Sequence, residues 1–500
     1  MILRPTDAAR PSGVPQSLYT PLCTLFLAGL LSACGFGAYD STEASARDGN
    51  GDPVTVFEGP VARADCGPGS LPETDLQGRV SLEDRVSGRS QVGYSCNLEP
   101  VGQYQGLGAS WQMAWFEDCA YYGTAFPAQA GVQVVDVSDP TNPRHAGALT
   151  SPAMLDPWES LKVNERRGLL AGDAGWNVAG PAYFDVYDLN GNCRTPDLLA
   201  SVPAAVPVGH EGNWAPDGKT YYVGVVHSAI DVTDANAPRL IEQYDTNGSL
   251  HGLSLNEAGT RMYGVLISGC DDEGGSGLVV FDTSAVQARE PLPTMPELGR
   301  VCWADGSTAQ HTIPVTYGGR PYIVFVDEGG AGGDLRGPAG AARLIDISDE
   351  TNPRVVAKLK LEIHMPEHTD IQLSDTEGNG GFGYQAHYCN VDRQDDPTAL
   401  ACGYFQSGIR VFDIRDPHQP SEIAYYNPPA QVGKGGDLPS SEHANGAQAL
   451  TSPPNLTADW CSAQVRLIPE RGELWTTCQD NGFMVLRFTN GVWPFADQQR

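Results

Sequence analysis

The sequence predicts an all-β protein, a seven-bladed β-propeller whose ring is closed by an N-terminal strand, and three observations lead there. An apolar strand running into aspartate recurs along the chain. Its copies lie roughly 46 to 74 residues apart, the length of a four-stranded blade with insertions. The composition holds 58 glycines and 38 prolines and few long runs of Ala, Leu, Glu and Lys, which suits many short strands and turns.

Residues 1–33 read as a signal peptide. Arg4 and Arg10 precede an apolar segment from Leu18 to Leu31, which ends in Leu31-Ser32-Ala33-Cys34. This is a lipobox: small residues fit a signal-peptidase site, and Cys34 receives diacylglycerol and becomes the new N-terminus. The apolar run is shorter than the roughly 20 residues that a spanning helix requires, so the membrane is reached only through the lipid anchor. From residue 34 to 92 the chain is polar and rich in Gly, Asp, Ser and Pro, and a largely irregular tether is expected.

The propeller is expected over residues 93–500. Its strands appear as Val134-Val135-Asp136-Val137-Ser138-Asp139, Tyr183-Phe184-Asp185-Val186-Tyr187-Asp188, Ala229-Ile230-Asp231-Val232-Thr233-Asp234, Leu344-Ile345-Asp346-Ile347-Ser348-Asp349 and Val411-Phe412-Asp413-Ile414-Arg415-Asp416. Two degenerate copies, ending at Asp282 and Arg487, bring the number to seven. Turns such as Asp139-Pro140-Thr141-Asn142-Pro143 follow, where aspartate bonds nearby amides and proline presets the bend. The chain ends soon after the last copy and leaves that blade without an outer strand. Leu98 to Tyr104 resembles the fourth strand Leu240 to Tyr244 yet precedes the first blade, so it is expected to pair with the last one and cover its edge.

This repeat resembles the LVIVD family of bacterial propeller proteins, over roughly Ser95 to Phe495. The resemblance implies the fold and an envelope location, facing the periplasm or the exterior, and implies no reaction.

A formal charge of -30 repels phosphate backbones, which argues against nucleic-acid binding. Of 12 cysteines, Cys23 leaves with the signal peptide and Cys34 is lipidated; the ten that remain, in an oxidising compartment, suggest disulfides. Cys389 and Cys402 flank a polar loop between two strand-like runs, and Cys461 and Cys478 flank the turn Pro469-Glu470-Arg471-Gly472, so both pairs could close hairpins.

Innermost strands begin near one mouth of a propeller's channel, so residues at those starts converge in space. His210, His251, His311 and His368 stand at such places in consecutive blades. Imidazoles converging with a carboxylate would hold a transition metal, and Glu211 and Glu367 are near enough in sequence to assist. The same histidines could instead lock neighbouring blades mechanically. The arrangement also looks like that of the selenium-binding protein and methanethiol oxidase group, propellers with channel histidines and a copper-dependent oxidation. His387 is expected on a second strand, on the same side as Cys389. The acidic, glycine-rich loop Asp271 to Gly275 lacks the ligand spacing of a calcium hand and reads as a solvated loop, while Asp327-Glu328 leads a glycine-rich loop, Gly329 to Gly340, that could cover the mouth, bind a partner or be slack. The leading expectation is a monomeric binding scaffold for an envelope protein, a polysaccharide or a small ligand; the alternative is a metal-dependent oxidoreductase using the histidine cluster.

Overall fold

The computed structural model describes residues 55–495 apart from 125–129, 174–182, 204–209, 226, 244–248, 272–274, 330–339, 376–381 and 432–457. The signal peptide and Cys34 lie outside the described residues, as does most of the glycine-rich loop after Asp327.

Among the described residues the strands assort into seven antiparallel sheets, six of four strands and one of five, and these are the seven blades of a propeller. Blade 1 spans 113–149, blade 2 162–203, blade 3 212–243, blade 4 249–303, blade 5 307–358 and blade 6 386–427. Blade 7 takes three strands from 466–488 and its outermost strand from Leu98–Tyr104, which pairs antiparallel with Gly482–Phe488, Leu98 opposite Phe488 and Tyr104 opposite Phe483. The ring is therefore closed by the N-terminal strand, as the missing outer strand required.

Each sheet is apolar on both faces because it is packed between two others. One buried cluster joins each adjacent pair of blades: Val134 with Leu170, Val186 with Trp214, Tyr222 with Leu266, Val280 with Phe325, Leu344 with Phe412, Val411 with Leu486, and Val485 with Val135. The last of these joins blade 7 to blade 1. Cores between blades explain why the third strands read as continuous apolar runs rather than alternating ones.

The repeated aspartate ends the third strand and caps the turn after it. Asp136, Asp231, Asp346 and Asp413 accept from the backbone N–H two residues on, at 2.9 to 3.0 Å. The intervening residue donates its own N–H back to the start of the second strand, as from Val137 to Asp118 O at 2.7 Å and from Ile414 to Thr398 O at 3.1 Å. In blade 2 these bonds are made by Asp188 and Leu189, so the repeat there is shifted along the strand from the expected Asp185 to Asp188. Asp185 is instead fully buried and accepts from Ala153 N at 2.8 Å. In blade 7 Phe488 makes the return bond to Gly472, which places Arg487 at the aspartate position.

From residue 55 onward the segment expected as a tether keeps a largely irregular backbone but is packed against the blades, which corrects the expectation of a tether. Phe57 forms a parallel bridge with Ala357 on blade 5, Ala62 bridges to Ser421 on blade 6, and Tyr94–Cys96 adds a fifth strand to blade 6 before the chain crosses to blade 7. A short helix, Leu82–Ser87, is capped by Ser81. Buried Arg410 of blade 6 holds this strap through Glu73 and through Glu422 at 3.0 Å, and the Cys66–Cys96 disulfide staples it. A polar composition did not prevent packing because its charges have partners.

Both expected hairpin disulfides, Cys389–Cys402 and Cys461–Cys478, are present. Cys119–Cys193 ties blade 1 to blade 2, and Cys270–Cys302 lies within blade 4. No described helix is long and apolar enough to cross a membrane.

Candidate metal centre

The inner strands approach closely at the channel. A Cβ on Gly252 would stand 2.1 Å from Gln310 O, and one on Gly224 1.7 Å from His251 O. Only glycine admits that approach, which sets blade 3 against blade 4 and blade 4 against blade 5 at the channel.

Glu159, which precedes the inner strand of blade 2, stands at the middle of the group and is buried. Its Oε2 lies 3.2 Å from His210 Nε2 and 3.3 Å from His251 Nε2, and its Oε1 lies 2.9 Å from His387 Nε2. One ligand atom each from Glu159, His210 and His251 falls within 4.8 Å of the others. Glu328 approaches His387 Nε2 at 3.4 Å, and the Gln310 amide is 2.8 Å from the same nitrogen.

Backbone carbonyls set two of the rings. His251 Nδ1 lies 3.1 Å from Ala309 O and His387 Nδ1 lies 2.7 Å from Ser462 O; a carbonyl only accepts, so each Nδ1 carries the proton. The Nε2 atoms then face Glu159 either as second N–H groups or as lone pairs, and a lone pair opposite a carboxylate needs a cation between them. With the protein's own groups alone, burial disfavours the His387 cation, but Glu328 and Glu159 outweigh it and hold its pKa up to about 10. Burial would raise the Glu159 carboxyl, yet His210 and His387 keep it well below the ordinary range. His210 differs: burial dominates and pulls it down despite Glu159.

The backbone is strained here. His210 has φ +84° and Trp158, beside Glu159, has φ +48°, both in the left-handed region that side chains other than glycine rarely occupy. The Glu159 N–H donates to His210 O at 3.1 Å, which links two of the candidate ligands through the main chain. Aromatic rings wall the cluster: Trp158 lies 5.6 Å from the His210 ring, while Trp111 and Phe405 lie 5.6 and 5.2 Å from that of His387.

Of the residues expected to ligate, His210 and His251 converge and the others do not. His311 turns to the backbone of Cys389 at 3.1 Å and stacks on Tyr388, and burial presses its pKa down to about 3. Glu211 points to Lys162 at 3.2 Å and to the Tyr388 hydroxyl at 2.6 Å. Glu367 and His368 sit on a short helix, Pro366–His368, where Glu367 is exposed. The chain between blades 5 and 6 forms short helices there, so the inner strand of blade 6 starts only at Ala386 and His387 takes the place expected of His368. His387 is thus on an innermost strand, not a second one. Glu159 was missed, although Trp158-Glu159-Ser160 precedes its inner strand as His210-Glu211 precedes the next. A second grouping, Asp459 with Cys461 and Cys478, offers no thiolate because the two cysteines are bonded to each other.

No family model matches the chain, and no curated protein matches it. Among solved structures, a functionally unknown protein from Desulfotomaculum acetoxidans aligns at 9% identity over 62% of this chain and 81% of that one, with a TM-score of 0.42. A periplasmic gluconolactonase from Pseudomonas aeruginosa aligns at 13% identity over 72% of this chain and 88% of that one, with a TM-score of 0.47. Likeness at that level has no bearing on the chemistry at Glu159.

Proposed function

We propose that this protein is an exported, lipid-anchored metalloenzyme with one transition-metal ion held by His210 Nε2, His251 Nε2 and Glu159 Oε2. The observation that carries this reading is the convergence of those three atoms. Ligands bonded at about 2.0–2.2 Å to one ion in tetrahedral geometry stand roughly 3.3–3.5 Å apart, close to the separations between Glu159 and each histidine. Two imidazoles and one carboxylate with further positions open suit iron or zinc. Such an ion supplies a Lewis acid or a redox centre to a molecule bound beside it.

The protein's own groups complete the site. Ala309 O orients His251 through its Nδ1–H, as ligating histidines require. His387 donates to the far oxygen of Glu159 and fixes the carboxylate plane. Trp111, Trp158 and Phe405 exclude water on the adjoining side, which strengthens charge interactions within. The lipobox at Cys34, the resemblance to LVIVD lipoproteins and the five disulfides support export to the cell envelope. A scaffold binding a partner at one propeller face would need neither the strained His210 nor a buried carboxylate among histidines.

Elemental analysis of the chain, exported so that disulfides form, tests the reading. About one transition-metal ion per chain is expected, and it is lost in a His210→Ala, His251→Ala variant whose circular dichroism matches the wild type. Protein that is metal-free and stays so after incubation with iron, copper, zinc and manganese would overturn it. A Glu159→Gln single variant gives a second reading should the double variant not fold.

A further inference from the structure

Further along the same inner strands the channel holds a cavity of about 180 Å³. Its deep wall includes Lys162, Glu211, His311 and Tyr388, residues that the metal centre does not use. Trp115, Glu165 and Asn390 line both this cavity and a wider hollow of about 980 Å³ at the strand ends, so the way in is from the mouth opposite the strand entries.

Three features define what would fit. In the deep wall charge is matched, since Lys162 Nζ lies 3.2 Å from Glu211 Oε2, and Glu165 at the entrance adds a carboxylate that disfavours an anionic occupant. Hydrogen bonding is incomplete: Glu211 Oε1 and His311 Nδ1 are buried without a protein partner, on residues only 0% and 4% exposed. Groups of this kind are normally satisfied by a ligand or by water. The entrance carries an indole, Trp115, whose Nε1 is engaged by Glu165 at 3.2 Å and whose half-buried ring, with the Arg466 guanidinium 5.8 Å from its centroid, forms the apolar part of the rim. The volume exceeds the roughly 150 Å³ that admits a benzene-sized ring.

We propose that this cavity binds a neutral, hydroxyl-rich molecule about the size of one sugar ring, its hydroxyls meeting Glu211 and His311 and its C–H face lying on Trp115. Polar walls with one aromatic face suit a molecule that is itself polar at its edge and apolar on its face. The site stands independently of the metal reading, because none of its residues is a proposed ligand.

Saturation-transfer NMR on the intact exported chain, with D-glucose, D-xylose and myo-inositol as probes and D-gluconate and cyclohexanol as controls, tests this. At least one of the three neutral probes is expected to receive saturation, the controls to receive none, and Trp115→Ala to weaken the bound probe at least tenfold. Three results would each overturn it: silence from all three neutral probes, which leaves a water-filled cavity; a response confined to gluconate or cyclohexanol; or a response unchanged in Trp115→Ala, which moves the site elsewhere. Metal content measured on the same samples is expected to be equal in wild type and variant, which separates failure here from failure of the metal centre.

Discussion

Oε1 of Glu159 lies 2.9 Å from Nε2 of His387, so the approach to blade 2 and the inner strand of blade 6 meet across the channel. Because the other oxygen of Glu159 faces His210 and His251, His387 would orient the carboxylate rather than compete for the proposed ion. His387→Ala is expected to weaken metal affinity about 10- to 100-fold, the usual effect of removing a group that orients a ligand. Glu159→Gln should lose more. Competition against a chelator of known affinity gives both values, and equal affinities for wild type and His387→Ala would refute the assignment.

Glu367, which is exposed, and His368, which is half-buried, offer the converse. Glu367→Ala with His368→Ala is expected to leave metal content unchanged and to shift stability by less than about 0.5 kcal/mol, as surface substitutions do. Loss of metal in this variant would return His368 to the ligand set.

The N-terminal strap depends on Arg410, a fully buried guanidinium that meets Glu73 of the strap and Glu422 of its own blade. Arg410→Met strands two buried carboxylates, and breaking such a group costs about 3–5 kcal/mol. Hydrogen exchange across residues 55–92 should rise together with the fall in Tm. If exchange there stays at its wild-type level, the strap is held by something else.

Asp136, at the end of the third strand of blade 1, is paired with Arg194 at 2.7 Å. That hydrogen bond, opposed weakly by burial, draws its pKa from 3.8 to about 2. A lowered folded-state pKa stabilises the fold above the unfolded value and is lost as pH falls, here between about 4 and 2. Solvent screens this pair, so the contribution is no more than about 1 kcal/mol. Asp136→Asn should lower Tm at pH 7, and the gap from wild type should close as pH drops through that window. A gap that widens toward acid would show the sign to be wrong.

The bond between Cys119 and Cys193 closes a loop with a sequence separation of 74. Loop-closure entropy for that length amounts to about 4 kcal/mol, and a native disulfide typically contributes 2–5 kcal/mol. Cys119→Ala with Cys193→Ala is therefore expected to lower the unfolding midpoint well below that of the wild type in a denaturant titration under oxidising conditions.

The local features of this protein were readable because their causes are local. The apolar strand ending in aspartate shows in the chain because the cap bond spans only two residues, as from Ser138 N–H to Asp136. The closing strand Leu98–Tyr104 could be anticipated from a blade one strand short, and the Cys389–Cys402 and Cys461–Cys478 bonds from cysteines flanking hairpins. The Tyr183 to Asp188 run of blade 2 offers two aspartates, and only pairing to the neighbouring strand, with Asp188 opposite Leu169, selects Asp188.

The sequence by itself determined that the chain folds as seven blades with the closing strand drawn from its beginning, since strand periodicity and turn chemistry act over a few residues. Which side chains meet was decided only by the tertiary structure. Short helices between Glu362 and Asp375 delay the inner strand of blade 6, so His387 arrives at the channel and His368 stays outside. Glu159 becomes the centre of the cluster because ring closure brings the approach to blade 2 and the inner strand of blade 6 together across the channel. That distance depends on the whole circumference, and no short stretch of sequence carries it.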